Sequence, residues 1–235
     1  MVDASPRSAL IVAHGSPADP GPQEAALQAL AVRVAMWLPG WRVRGATLAA
    51  KGALEAALKG MDAPLIYPFF MAEGWFTRTN LPKRLDGVGR QLPAFGGDPG
   101  MVDLVSRVAV DGALAAGLVP AEAVLLIAAH GSQVSRASAD GARALAEGVA
   151  ARGAFGRVEV GFVEESPYLG DVAKGLGPAI CLPFFALRAG HVAVDVPEAL
   201  SAAGFGGVLL PAIGEHGDVA RMIAEALAKA DVVRA

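Results

Sequence analysis

The sequence is poor in features that mark several large classes of protein. It has one cysteine, Cys181, in 235 residues, so no internal disulfide can form and a reducing compartment is expected. Charged residues make up 18% of the chain and the formal net charge is -3, so no broad basic surface is available to a nucleic acid. No Gly-x-Gly-x-x-Gly follows the first strand of either half, which argues against a dinucleotide-binding site.

Long apolar stretches are also missing, although the mean hydropathy is +0.45. A membrane-spanning helix needs about 20 consecutive apolar residues. The runs at 123–135 and 175–187 are too short, and the run at 199–214 is broken by glycine and proline. No basic segment followed by a long apolar segment opens the chain, so we expect no signal peptide. With 54% hydrophobic residues, the sequence predicts a soluble, cytoplasmic globular protein without a membrane partner.

The two halves of the chain resemble each other. The string SALIVAHGS at 8–16 returns as VLLIAAHGS at 124–132, and PLIYPFFMAEGW at 64–75 returns as AICLPFFALRAGH at 179–191. The order of the strings is the same and their separation is nearly constant, which indicates a duplicated unit. The join lies near residues 117–121.

Short apolar runs alternate with amphipathic, alanine-rich stretches in both halves. We predict strands at 10–13, 41–48, 65–70, 124–129, 157–163, 179–184 and 207–210, and helices at 22–38, 52–59, 136–152, 166–174, 192–203 and 218–230. This alternation predicts an α/β protein of two tandem, similar lobes, residues 1–118 and 119–235, each with a parallel sheet flanked by helices. We expect a cleft between the lobes. Ligands of such sheets bind outside the carboxyl ends of the strands.

Chemistry-bearing side chains follow the predicted strands of the second half. His14 and His130 each stand one residue past a buried strand, and His191 and the pair Glu164 and Glu165 follow other strands. Because the carboxyl ends of parallel strands share one edge, we expect the two later histidines and a glutamate to lie close together. Such a group can bind a divalent transition metal or transfer protons near neutral pH.

The first half is poorer in these side chains. Its positions matching the histidine and the two glutamates of the second half are assigned to Trp75, Leu48 and Ala49. We therefore predict a degenerate site in the N-terminal lobe, where Trp75 and Phe76 offer a flat apolar wall, and a metal or catalytic site in the C-terminal lobe.

The combination of elements resembles a known family. The HGS elements, FVE at 162–164, PFF at 183–185, GHV at 190–192 and Pro197 are similar to those of the class II chelatases of tetrapyrrole biosynthesis, specifically the sirohydrochlorin cobaltochelatase (CbiX-type) family. The resemblance covers nearly the whole chain. It implies a lyase that inserts a divalent metal, Co²⁺ first with Fe²⁺ and Ni²⁺ as alternatives, into sirohydrochlorin or a related tetrapyrrole of cobalamin or siroheme biosynthesis.

The resemblance also implies roles for individual residues. The two metal-site and catalytic histidines of the family fall on His130 and His191, and its acid falls on Glu164, with Glu165 as the open alternative. Two imidazoles can hold a metal while leaving coordination positions open for the ring nitrogens. The metal is then a substrate, and no permanently bound cofactor is expected.

Other residues are candidates for binding the carboxylates of such a ring. Ser132 stands where a strand meets a helix, and Arg136, Arg188 and Arg78 lie in the same predicted loops. His216 is either a residue that starts a helix or a third metal ligand.

Other functions stay open beside insertion. The chain could instead be a non-catalytic tetrapyrrole- or metal-binding carrier or a regulatory relative. A histidine phosphatase is disfavoured because alanine, Ala13 or Ala129, stands before each HG pair where that class has arginine. A fused pair of lobes predicts a monomer or a weak homodimer.

Overall fold

The computed structural model contains two separate four-stranded parallel sheets, one built from each half of the chain. It describes residues 6–132, 136–188 and 191–232, with the exception of the His191 side chain. The strands are β1 (Ser8–Ala13), β2 (Arg42–Thr47), β3 (Leu65–Pro68), β4 (Arg90–Gln91), β5 (Val124–Ala129), β6 (Arg157–Phe162), β7 (Ala179–Pro183) and β8 (Val208–Leu209). Their orders are β2-β1-β3-β4 and β6-β5-β7-β8. The predicted α/β class and the parallel sheet in each half are confirmed.

Helices connect the strands of each sheet. They are α1 (Pro20–Ala35), α2 (Ala53–Leu58), α3 (Leu81–Leu85), α4 (Met101–Ala115), α5 (Ala137–Ala150), α6 (Leu169–Ala173), α7 (Val196–Ala202) and α8 (Val219–Val232). A π-helical turn leads directly into two of them, Phe76–Asn80 into α3 and His191–Asp195 into α7. Short 3-10 turns occur at Phe95–Gly97, Pro120–Glu122 and Ile213–Glu215. None of the helices in the described part of the chain is long and apolar enough to cross a bilayer.

The central strand of each sheet is a continuous apolar run because both of its faces are covered. All six residues of β1 are buried, and β5 is buried from Leu125 onward. Helix α1 packs tightly against the edge strand β2 because Gly45 has no side chain. A Cβ at that position would lie 2.6 Å from the carbonyl oxygen of Leu27 and would push the helix away.

The chain forms two compact units whose boundaries differ from the boundary between the two sequence repeats. Unit 1 comprises the residues up to Asp98 and those from Gly217 onward, and unit 2 runs from Pro99 to His216. These bounds differ from the lobes 1–118 and 119–235 that the sequence predicts, because one helix from each half of the sequence packs in the unit formed by the other half. Helix α4 packs on α5 and β7 of unit 2, whereas α8 packs on α1 and β3 of unit 1.

Helix α8 completes unit 1 through an apolar face and an ion pair. Ile223 and Leu227 are fully buried. The Arg7 guanidinium, just before β1, lies 3.0 Å from the carboxylate of Asp231. The last helix of the chain is therefore part of the core around the first strand.

Cys181 lies in the interior of unit 2, as a small residue of the apolar core. It stands in β7 with no exposed surface and belongs to a cluster that includes Leu126 and Val196. Desolvation raises the pKa of its thiol to about 12, so the group is an unreactive thiol at neutral pH.

Candidate functional site

His130 and Glu164 lie side by side at the carboxyl edge of the unit 2 sheet. The central strand β5 ends at Ala129 and its neighbour β6 ends at Phe162, directly opposite. Backbone hydrogen bonds join the two segments beyond the strand ends, because the Val163 N–H donates to the Ala129 carbonyl and the Glu164 N–H donates to the His130 carbonyl, each at 3.0 Å. The backbone therefore fixes the glutamate next to the histidine.

The His130 ring has a defined orientation. Its Nδ1 lies 2.8 Å from the carbonyl oxygen of Gly131. Because a carbonyl oxygen only accepts hydrogen bonds, this contact places the proton of the neutral ring on Nδ1 and the lone pair on Nε2. Nε2 is 3.8 Å from Oε1 of Glu164, and the two side chains are 40% and 44% exposed. That distance is too long for a hydrogen bond, and both groups are accessible to a substrate.

Glu165 has a different place from Glu164. Its Oε1 accepts a hydrogen bond of 2.7 Å from the backbone N–H of Ser132. Its side chain also packs closely on Gly131, whose φ of +72° turns the chain sharply after His130. Glu165 thus braces the turn that carries the histidine, and Glu164 is the acid that faces the ring. The Ser132 N–H is therefore bonded within the protein, and the binding of a substrate carboxylate at Ser132 stays a prediction.

The other predicted site residues are less closely defined. His191 is the first residue of the π-helical turn before α7, and its side chain lies outside the described part of the structure. Arg136 and Arg188 are exposed, and His216 is half-buried after a 3-10 turn. Among the side chains that are described, which exclude that of His191, no three or more His, Cys, Asp or Glu groups could together hold a metal ion.

The matching edge of unit 1 has the same backbone and different side chains. The Leu48 N–H donates to the Ala13 carbonyl and the Ala49 N–H to the His14 carbonyl, each at 2.9 Å. Ala49 is therefore the counterpart of Glu164, and Ala50 follows it. The sequence comparison, which matched Leu48 and Ala49 to the two glutamates, is wrong by one residue.

The counterpart of His191 is Phe76 rather than Trp75. Each π-helical turn begins eight residues after the proline that ends its strand, at Phe76 after Pro68 and at His191 after Pro183. The Gly-Trp and Gly-His pairs look alike in sequence, and that likeness produced the wrong match. Counting residues from the shared proline identifies Phe76.

Unit 1 shows which side chains this arrangement brings together. The rings of His14 and Phe76 have centroids 4.2 Å apart and meet edge to face at 71°. His14 Nδ1 lies 2.7 Å from the carbonyl oxygen of Gly15, so His14 and His130 have the same orientation relative to their glycines. In unit 1, therefore, the residue after the central strand touches the first residue of the π-helical turn.

Known proteins are similar to the chain over most of its length. The CbiX family model matches residues 124–230. A solved structure described as CbiX, the terminal enzyme for biosynthesis of siroheme in denitrifying bacteria, is 48% identical, with a TM-score of 0.87, and the match covers 95% of this chain and 99% of that one. No curated protein matches the chain.

Two further structures extend the similarity. DR2241 from Deinococcus radiodurans, described as a multi-domain protein with structural similarity to chelatases, is 25% identical, with a TM-score of 0.77 and coverage of 96% of this chain and 55% of that one. SirB from Bacillus subtilis with Fe³⁺ is 16% identical, with a TM-score of 0.72 and coverage of 96% and 97%. The last likeness shows the shared fold.

Proposed function

Because the chain belongs to the CbiX family of chelatases, we propose that it inserts a divalent metal ion into sirohydrochlorin or a closely related tetrapyrrole. In this proposal His130 and His191 hold the incoming metal, and Glu164 accepts a proton from the ring. The metal is a substrate that leaves with the product.

The ring contact between His14 and Phe76 in unit 1 carries the proposal. His130 and His191 occupy the same two positions of unit 2, one after the central strand and one at the start of the π-helical turn. The same backbone path would place two imidazoles side by side at an edge that also holds a carboxylate.

The chemistry of insertion suits these groups. Neutral imidazole is a good ligand for Co²⁺, Fe²⁺ and Ni²⁺, and two such ligands leave coordination positions for pyrrole nitrogens. Two N–H protons must leave the ring as the metal enters. Glu164 lies 3.8 Å from His130 Nε2, and its exposed carboxylate can take the two protons one after the other and release each of them to water.

The identity of the metal is the finer part of the proposal. We propose Co²⁺ and Fe²⁺ as the candidate substrates. The relative that is 48% identical is described by its role in siroheme biosynthesis, and siroheme contains iron. SirB from a Bacillus subtilis subspecies has been crystallised with cobalt, at 14% identity to this chain. Both metals belong in the assay.

The test mixes metal-free sirohydrochlorin with Co²⁺ or Fe²⁺ without oxygen and follows product by absorbance. An enzyme makes many equivalents of product, whereas the alternative carrier gives a spectral change that stops at one equivalent. Loss of a metal ligand in His130→Ala or His191→Ala should reduce insertion to the uncatalysed rate. Loss of a proton acceptor in Glu164→Gln should lower kcat by roughly 10²-fold or more.

His14→Ala is the matched control because His14 has the same position and the same Nδ1 contact in unit 1. It should keep most of the activity. If all three histidine variants lose activity equally, or if only His14→Ala does, the assignment of the site to unit 2 is wrong.

A further inference from the structure

Trp75 is a large apolar side chain that unit 1 leaves at its surface. The residue is 62% exposed, although it stands at the carboxyl edge of the sheet where ligands of this architecture bind. Its ring contacts that of Phe76 at 5.0 Å and 76°, and Phe76 in turn contacts His14. The indole is therefore supported from one side and open to solvent elsewhere.

Hydrogen bonds hold the turn that carries Trp75 in place. The Glu73 carboxylate accepts hydrogen bonds from the Ala94 N–H at 2.8 Å and from the Thr77 hydroxyl at 2.6 Å. The Thr77 oxygen accepts another from the Gly74 N–H at 2.9 Å, and Thr77 is almost fully buried. A surface held in this way loses little conformational entropy when a ligand binds.

The charges around Trp75 differ from those at the matching edge of unit 2. Ala49 stands where unit 2 has Glu164, so this edge lacks the carboxylate that faces the histidine in unit 2. Arg78 is exposed on the same π-helical turn as Phe76, at a position where unit 2 has Ala193. An open indole with a cation one turn away suits a flat, conjugated ligand that bears carboxylates, whereas it does not suit a metal ion.

We propose that this edge of unit 1, defined by Trp75 and Arg78, is a ring-binding surface for the tetrapyrrole. Trp75 stacks on the face of the macrocycle, and Arg78 binds a peripheral carboxylate. The inference rests on the proposed function, because it takes the ring as the ligand.

The test measures the affinity of the full chain for metal-free sirohydrochlorin, by the absorbance change of the ring. Removing the stacking surface in Trp75→Ala should raise Kd about three- to tenfold, and Trp75→Phe should recover part of the loss. In turnover, Trp75→Ala should raise KM far more than it lowers kcat. Binding of Co²⁺ alone to the variant should equal that of the wild type, a result that a misfolded protein would not give.

The role of Arg78 is tested by changing the charge of its side chain and the ionic strength at which Kd is measured. Arg78→Gln should raise Kd about two- to fivefold at low ionic strength, and the effect should fade near roughly 0.5 M salt, where surface charges are screened. Arg78→Lys keeps the charge and should retain most of the affinity.

A matched pair of controls stands at the opposite edge of the same sheet. Trp37 is 58% exposed just beyond the end of α1, and Arg33 is an exposed cation in the last turn of that helix. Trp37→Ala and Arg33→Gln should bind the ring as the wild type does. Wild-type affinity in Trp75→Ala, or an equal loss in Trp37→Ala, would overturn the inference.

The outcomes also separate this inference from the proposed function. A chain that binds the ring through Trp75 and inserts no metal refutes the function and keeps the ring-binding surface. A chain that inserts metal with Trp75→Ala unchanged in affinity refutes only the surface. A wild-type chain that binds no ring refutes both.

Discussion

Gly131 is the position where adding one carbon should damage the proposed centre most directly. Its φ is +72°, a conformation that side chains disfavour by about 1–2 kcal/mol. A Cβ there would lie 2.8 Å from Cγ and 2.9 Å from Oε1 of Glu165, and 3.0 Å from Cβ of Phe162. The glutamate can rotate away, but Phe162 is fixed by its strand. Gly131→Ala should therefore displace Glu165 and break its bond to the Ser132 N–H.

The cost can be worked from these contacts. A hydrogen bond to a charged group contributes about 1.5–3 kcal/mol, and because Glu165 is partly exposed and regains water we take about 1 kcal/mol. Together with the backbone strain, Gly131→Ala should lower the free energy of unfolding by about 2–3 kcal/mol. It should also reduce insertion, because the Gly131 carbonyl is the group that orients His130.

Gly153→Ala is the control that isolates the backbone strain. Gly153 has a φ of +68°, and nothing lies within 4 Å of an added Cβ. This variant should lose about 1–2 kcal/mol of the free energy of unfolding, the backbone strain alone, and keep full activity. Urea unfolding of the wild type and both variants gives the comparison. If Gly131→Ala is no less stable than Gly153→Ala, Glu165 does not brace the turn as we infer.

Two further predictions concern the fold. A fragment 99–216 contains all of unit 2 and should unfold cooperatively, as followed by circular dichroism. A fragment 119–235, cut where the repeat begins, lacks α4 and should not unfold cooperatively. The opposite result would show that α4 is not part of the unit 2 core. The pKa of Cys181 is raised from 9.0 to about 12 in the folded chain, so the protonated thiol is favoured by folding and stability should fall as the pH rises through that interval. The urea midpoint of the wild type should drop more steeply than that of Cys181→Ala between about pH 9 and about pH 12, and parallel curves would contradict the buried thiol.

Local sequence patterns predict much of the fold correctly. The apolar run at 124–129 matches β5 residue for residue, because a strand that is covered on both faces consists almost entirely of apolar residues. The predicted helix at 22–38 corresponds to α1, which spans Pro20–Ala35. The sequence pattern predicts no helix at 101–115, and it gives no sign that α4 packs in unit 2 and α8 in unit 1. Which sheet a helix packs against depends on distant partners, and no local pattern records that choice.

The candidate site shows the same division. Placing His130 and Glu164 at one edge required only the order of strands and helices along the chain. Their spacing depends on backbone bonds beyond the strand ends, and those bonds also correct the matches to Ala49 and Phe76. Glu165 bonds to the backbone of the turn at Gly131, whereas Glu164 faces the His130 ring. The sequence shows only two adjacent glutamates and does not tell which of them faces the histidine.

A crystal of the full chain soaked in Co²⁺ tests the central claim most directly. We predict one ion bound by Nε2 of His130 and by the imidazole of His191, each at about 2.1 Å, with Glu164 beside it. An ion held at His14 instead, or rings of His130 and His191 too far apart to share one metal, would contradict it.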